Sequence, residues 1–103
     1  MSRFRLTPAA QIDLESIWDY TAETFGINQA LIYTNGLESA CALLADAPLI
    51  NRPRSEYTPE VRIYPHAEHL LVYVINDGVV EVIRFLHSSM DVDSQLEHDG
   101  SGE

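Results

Sequence analysis

Hydrophobic and polar positions alternate in two registers along this chain. Phe4 and Leu6 alternate with Arg3 and Arg5, a period of two that predicts a short strand with one buried face. Thr7-Pro8 then reads as an N-cap followed by proline at the first helical position. Ala10, Leu14, Ile17 and Thr21 follow at spacings of four, three and four. That is the stripe of an amphipathic helix, with Trp18 beside it and Asp13, Glu15, Asp19 and Glu23 mostly off it. Phe25-Gly26 closes this helix, over 9–25. Asn28 is the expected cap of a second helix over 29–47, whose seam is Ala30, Tyr33, Leu37, Ala40 and Leu44. Pro48 stops it. So short a connector predicts an antiparallel helical hairpin, with Trp18 and Tyr33 in its core or seam.

The second half changes period. Leu49–Pro59 is a loop punctuated by Pro53 and Pro59. Val61–Tyr64 alternates and reads as a strand ending at Pro65. His69–Ile75 and Val79–Leu86 are strongly β-prone runs on either side of Asp77-Gly78, the signature of a two-residue type I′ hairpin. Their near-continuous apolar character predicts central strands covered on both faces, by the helices on one side and by a partner on the other. The fold class is therefore α+β: an N-terminal strand, a helical hairpin and a three-stranded antiparallel meander. One domain over 1–90 is expected, followed by an acidic, flexible tail over 91–103.

Composition narrows what such a domain does. The 103 residues carry 16 acids against 6 arginines and no lysine, a net charge of −10. Direct binding of nucleic acid or of an anionic membrane is not expected from that balance. No apolar run is long enough to span a bilayer, and no apolar segment follows the N-terminal arginines, so no signal peptide is expected. Cys41, the one cysteine, sits in an apolar helical pattern and reads as a small buried hydrophobe. A reducing, cytoplasmic setting is the expected location.

Chemistry-bearing groups are sparse. His66 and His69 make a weak metal signal and read as loop or strand-edge residues; no metal or cofactor is expected. Glu56 and Glu60 are placed to pair with Arg54 and Arg62. Arg62, Arg84 and His87, with Tyr64 and Arg54 nearby in the pattern, form a possible phosphate-and-proton constellation of the kind a ribonuclease uses. The competing expectation is that these arginines pair with the abundant carboxylates.

The order of elements and the residues themselves resemble the ParE branch of the RelE/ParE toxin superfamily. The segments that carry the resemblance are F-R-L-T-P-A-A-Q-I-D-L-E-S-I-W-D-Y, Q-A-L-I-Y-T-N-G-L-E-S-A, L-L-A-D-A-P, R-P-R-S-E-Y, V-R-I-Y-P-H-A-E-H-L-L-V-Y and E-V-I-R-F-L-H-S-S-M-D, in order from Phe4 to Asp91. The resemblance implies a toxin of a type II toxin–antitoxin module. It implies neutralisation by a ParD-like antitoxin that wraps a C-terminal segment over the toxin in a hetero-oligomer. It further implies growth arrest through binding of DNA gyrase, without side-chain catalysis. Candidate partner-binding residues are then Arg54, Glu56, Arg62, Tyr64, Arg84, His87 and Met90. Two alternatives stand beside this one: a RelE-like ribosome-dependent mRNA endonuclease using Arg62, Arg84 and His87, and a non-toxic relic that still binds antitoxin. The lack of lysine and the acidic balance favour the gyrase branch. Where the family pattern usually has glycine after the histidine, this chain has Ser88, which would be costly if the position required a left-handed backbone.

Overall fold

A computed structural model describes residues 3–96. The elements run β1 (Phe4–Leu6), α1 (Pro8–Phe25), α2 (Ile27–Asp46), β2 (Arg62–His66), β3 (His69–Asn76), β4 (Val79–His87) and α3 (Val92–Gln95). The strands form one sheet in the order β1-β4-β3-β2. The meander β2-β3-β4 is antiparallel, and β1 joins the far side of β4 in parallel.

Local chemistry explains most boundaries. Thr7 caps α1: its hydroxyl accepts the Ala10 N–H at 3.1 Å and donates to the Ile83 carbonyl at 3.0 Å, so one side chain both starts the helix and ties it to β4. Asp77 and Gly78 have φ of 54° and 75°, the two left-handed residues that a type I′ turn requires. Gly26, at φ 99°, alone separates the two helices. The hinge removes the need for the expected Asn28 cap: α2 begins at Ile27 and has no side-chain cap.

Two apolar layers sandwich the sheet. On the helix side, Leu71, Tyr73, Val80, Val82 and Phe85 pack against Ala10, Ile17, Leu37, Ala40, Cys41 and Leu44. On the other side, Tyr57, Val61, Val72 and Leu86 form a smaller cluster joined by Ile63, Val74, Ile83, Val92 and Leu96. This second layer shows that the chain itself covers part of the face expected to meet a partner. The 54–61 loop and the α3 turn cover part of it, because Tyr57 is buried there and donates its hydroxyl to Asp93 at 2.7 Å. Residues 91–96, placed in the tail on sequence grounds, thus contribute a helical turn capped by Asp91. The rest of that tail, 97–103, lies outside the described residues.

Three further details differ from expectation. β2 continues through Pro65 to His66, because His66 and His69 face each other across a tight Ala67-Glu68 turn. That turn carries no glycine or asparagine, yet Ala67 has φ 51°. Ser88, in contrast, is not in the left-handed region, so its replacement of glycine costs no backbone strain. Its N–H donates to the Glu68 carbonyl at 2.8 Å and closes the end of the meander.

Candidate functional site

An open groove of about 630 Å³ lies between α1, α2 and the end of the sheet where β3 starts and β4 finishes. Helical spacing builds one wall: Asp13, Ile17, Tyr20 and Thr21 fall on one face of α1. Gln29 and Tyr33, four apart on α2, build the other. The floor comes from strand alternation. His69 pairs with His87 and Leu71 with Phe85, so His69, His87 and Phe85 share a face. Tyr20, Phe25 and Met90 are 65%, 66% and 44% exposed around the opening, large apolar side chains left facing solvent.

A polar chain crosses the inner end. The Glu68 N–H donates to the Tyr33 hydroxyl at 3.2 Å, and that hydroxyl lies 2.7 Å from His69 Nδ1. The tautomer of His69 decides which of the two donates in that contact. Burial, and then the neighbouring His87, push the His69 pKa below its ordinary value, which keeps the ring neutral. Burial pushes Tyr33 upward. The His87 ring meets His69 edge-on at 5.3 Å between centroids. Its Nδ1 accepts the Ser89 N–H at 3.1 Å, and its Nε2 lies 3.8 Å from Glu68 Oε1.

The predicted site residues are not brought to one point. Arg84 turns to α1, where Nε and Nη2 donate to the two oxygens of Asp13 at 2.7 and 3.0 Å. Those bonds raise its pKa further. Arg62 lies two strands away on β2 and donates to the Asn51 carbonyl beyond the end of α2. Arg54 is paired with Glu56 at 2.9 Å in the exposed loop, its guanidinium 5.6 Å from the Tyr57 ring centre. Glu60 accepts from Ser55 instead of pairing with Arg62. Tyr64 packs against the helix-side core. Of the seven candidates, only His87 and Met90 line the groove.

Asp13, Tyr20, Phe25, Tyr33, Glu68 and His69 were not legible as groove residues. Tyr20 and Phe25 carried the one available signal, since both are large apolar residues off the buried stripe of α1. The arrangement offers apolar surface and neutral proton-exchanging groups. The guanidinium beside it is already held by a carboxylate, so it is poorly suited to neutralise a phosphate undergoing attack. Among the described residues no group of three His, Cys, Asp or Glu side chains is placed to hold a metal ion, and no helix is long and apolar enough to cross a membrane.

The family described as ParE toxin of type II toxin-antitoxin system, parDE, matches the chain over residues 4–92. The chain belongs to the ParE toxin family. Toxin ParE1 of Mycobacterium tuberculosis is 42% identical over 96 residues, covering 92% of this chain and 98% of that protein. Toxin ParE1 of Caulobacter vibrioides is 32% identical over 97 residues, covering 93% and 99%. A solved chain from a chromosomal ParDE toxin–antitoxin system of P. aeruginosa superposes with a TM-score of 0.72 at 18% identity, over 84% of this chain and 96% of that one; it has the same fold. The ParE match extends from β1 into α3 and so includes both walls and the floor of the groove. This ParE chain is a toxin of a type II toxin–antitoxin system.

Proposed function

We propose that this ParE toxin arrests growth in the bacterial cytoplasm by binding DNA gyrase, and that a ParD-like antitoxin holds it inactive. The observation that carries the reading is the engagement of Arg84. Its bidentate pair with Asp13 takes the arginine closest in sequence to His87 out of service for phosphate chemistry, and leaves an apolar groove suited to protein contacts. The net charge of −10 points the same way, since a ribosome-bound RNA is itself densely anionic. Membership of the ParE family supports the antitoxin partner, and the gyrase target is what the resemblance to the ParE branch suggests.

The test is induced expression of the chain alone and with the gene beside it, followed by a supercoiling assay with purified protein. Growth arrest relieved by the neighbour, lost supercoiling and accumulated cleaved DNA are the expected results. Intact supercoiling together with mapped cuts in mRNA would replace this reading with the endonuclease. Antitoxin binding with no arrest would replace it with a non-toxic relic.

A further inference from the structure

Resting on the antitoxin reading above, we infer that Met90 is an oxidation site: a peroxide converts its thioether to the sulfoxide in the free chain, and the antitoxin then captures the chain more weakly until a reductase reverses the change. Among the described residues two side chains carry sulfur, and the fold treats them oppositely. Cys41 is fully buried, and burial with the Glu38 carboxylate pushes its thiol pKa up to about 12. An oxidant finds neither an open path nor a thiolate there. Met90 is 44% exposed and lines the groove with Tyr20 and Phe25, the other large apolar side chains at its opening. Backbone bonds keep it at that place. The Ser88 N–H donates to the Glu68 carbonyl at 2.8 Å, and the Met90 N–H donates to the His87 carbonyl at 2.9 Å. Asp91, the next residue, caps α3. The turn that carries Met90 is therefore anchored on both sides.

The reaction is a two-electron oxidation. The sulfur gives an electron pair to one oxygen of hydrogen peroxide. An S–O bond forms, the O–O bond breaks, and the second oxygen leaves as water with both protons. A flexible apolar side chain thereby becomes a polar, chiral one. Methionine suits a contact surface because its unbranched, polarizable chain adapts to the shape laid against it. The sulfoxide oxygen is a strong acceptor that favours water, so covering it with an apolar partner costs affinity. Ile17 and Phe85, which line the same groove, offer it no hydrogen bond from their side chains. A bound antitoxin shields the sulfur, so the free chain reacts and the complex is protected. Oxidation thus delays recapture and leaves a formed complex in place. Methionine sulfoxide reductases, one for each epimer, restore the thioether.

The experiment treats the purified chain with hydrogen peroxide, maps the added oxygen by peptide mass spectrometry, and measures binding of the recombinant antitoxin encoded beside the chain. Met90 should gain one oxygen while Cys41 gains none. The oxidised chain should bind the antitoxin about tenfold more weakly, the scale of losing a good apolar contact. Treatment with both reductases should restore the affinity. Met90→Leu, a volume-conserving change, should bind as wild type does and should keep its affinity after peroxide. That variant also separates Met90 from Met1, which lies outside the described residues. Peroxide added to the preformed complex should leave Met90 unmodified. Three results overturn the inference while the antitoxin reading stands: Met90 stays unoxidised in the folded chain, the oxidised chain binds as tightly as the untreated one, or Met90→Leu loses as much affinity on oxidation as wild type. Failure of the untreated chain to bind the antitoxin removes that parent reading and this inference with it. Circular dichroism of the oxidised chain and of Met90→Leu checks that the fold is intact.

Discussion

The Asp13 carboxylate closes the stretch of sheet edge on which Arg84 sits. β1 pairs with β4 only from Val80 to Val82. Beyond that point β4 carries an extra residue: Tyr73 faces Val82 while Val72 faces Arg84, which leaves Ile83 as a bulge. Thr7 takes the Ile83 carbonyl, and Asp13 Oδ2 accepts the Phe85 N–H at 2.9 Å as well as the Arg84 Nε–H. The first turns of α1 thus stand in for the missing length of β1, and the protein protects an edge that could otherwise pair with another chain.

Removing that carboxylate leaves a part-buried guanidinium and a backbone N–H without their acceptor. Asp13→Ala should lower unfolding free energy by about 2 kcal/mol, a figure kept modest because both side chains retain some solvent. Asp13→Asn, which keeps an oxygen for Phe85, should recover part of the loss. Urea unfolding of the three proteins reads this directly, and equal midpoints for Asp13→Ala and wild type would contradict it.

Burial of His69 makes stability depend on pH. The unfolded chain takes up a proton near the ordinary histidine value of 6.5, whereas the folded ring, its pKa lowered, does so only at more acid pH. Between those two values the unfolded state holds more protons. Stability should therefore be full above about pH 6.5, fall below it, and level off once the folded ring also titrates. Denaturant midpoints measured from about pH 7.5 to about pH 5 should show this drop in wild type and a smaller one in His69→Asn. An identical pH profile for the two proteins would show that His69 is not its source.

The turn between β2 and β3 holds Ala67 at φ 51°, a conformation that its Cβ disfavours. Ala67→Gly should stabilise the domain by about 0.5–1 kcal/mol, the relief of strain exceeding the extra entropy of the unfolded chain. A lower melting temperature in the glycine variant would refute the strain.

Cys41 is fully buried, and burial together with the nearby Glu38 carboxylate pushes its thiol pKa up to about 12. A thiol-specific reagent at mildly alkaline pH should leave the folded chain unmodified and label it once denatured. Rapid labelling without denaturant would mean that α2 opens far more readily than its packing suggests.

The elements were legible where neighbouring residues decide them. Thr7-Pro8 opens α1 and Asp77-Gly78 turns the hairpin through chemistry confined to a few positions. The stripes Ala10–Thr21 and Ala30–Leu44 identified the faces that became the core. What escaped depends on distant contacts or on departures from local preference. Nothing at Ala67 announces a left-handed residue, because alanine has no side chain to favour it. The pairing of Arg84 with a carboxylate was foreseeable in kind, but choosing Asp13 among 16 acids requires the path of the chain over 71 residues. Likewise the outer face looked unclaimed because Tyr57 and Asp93 stand 36 residues apart. The groove combines α1, α2, both central strands and Met90, so no single stretch of sequence displays it.

The one-residue corner at Gly26 has a mechanical consequence. Two helices of 18 and 20 residues that meet without slack, each pinned to the same sheet, offer little freedom for the gap beside them to widen or narrow. A visitor entering that gap finds its dimensions set in advance, so most of the loss of disorder on association must come from the visitor.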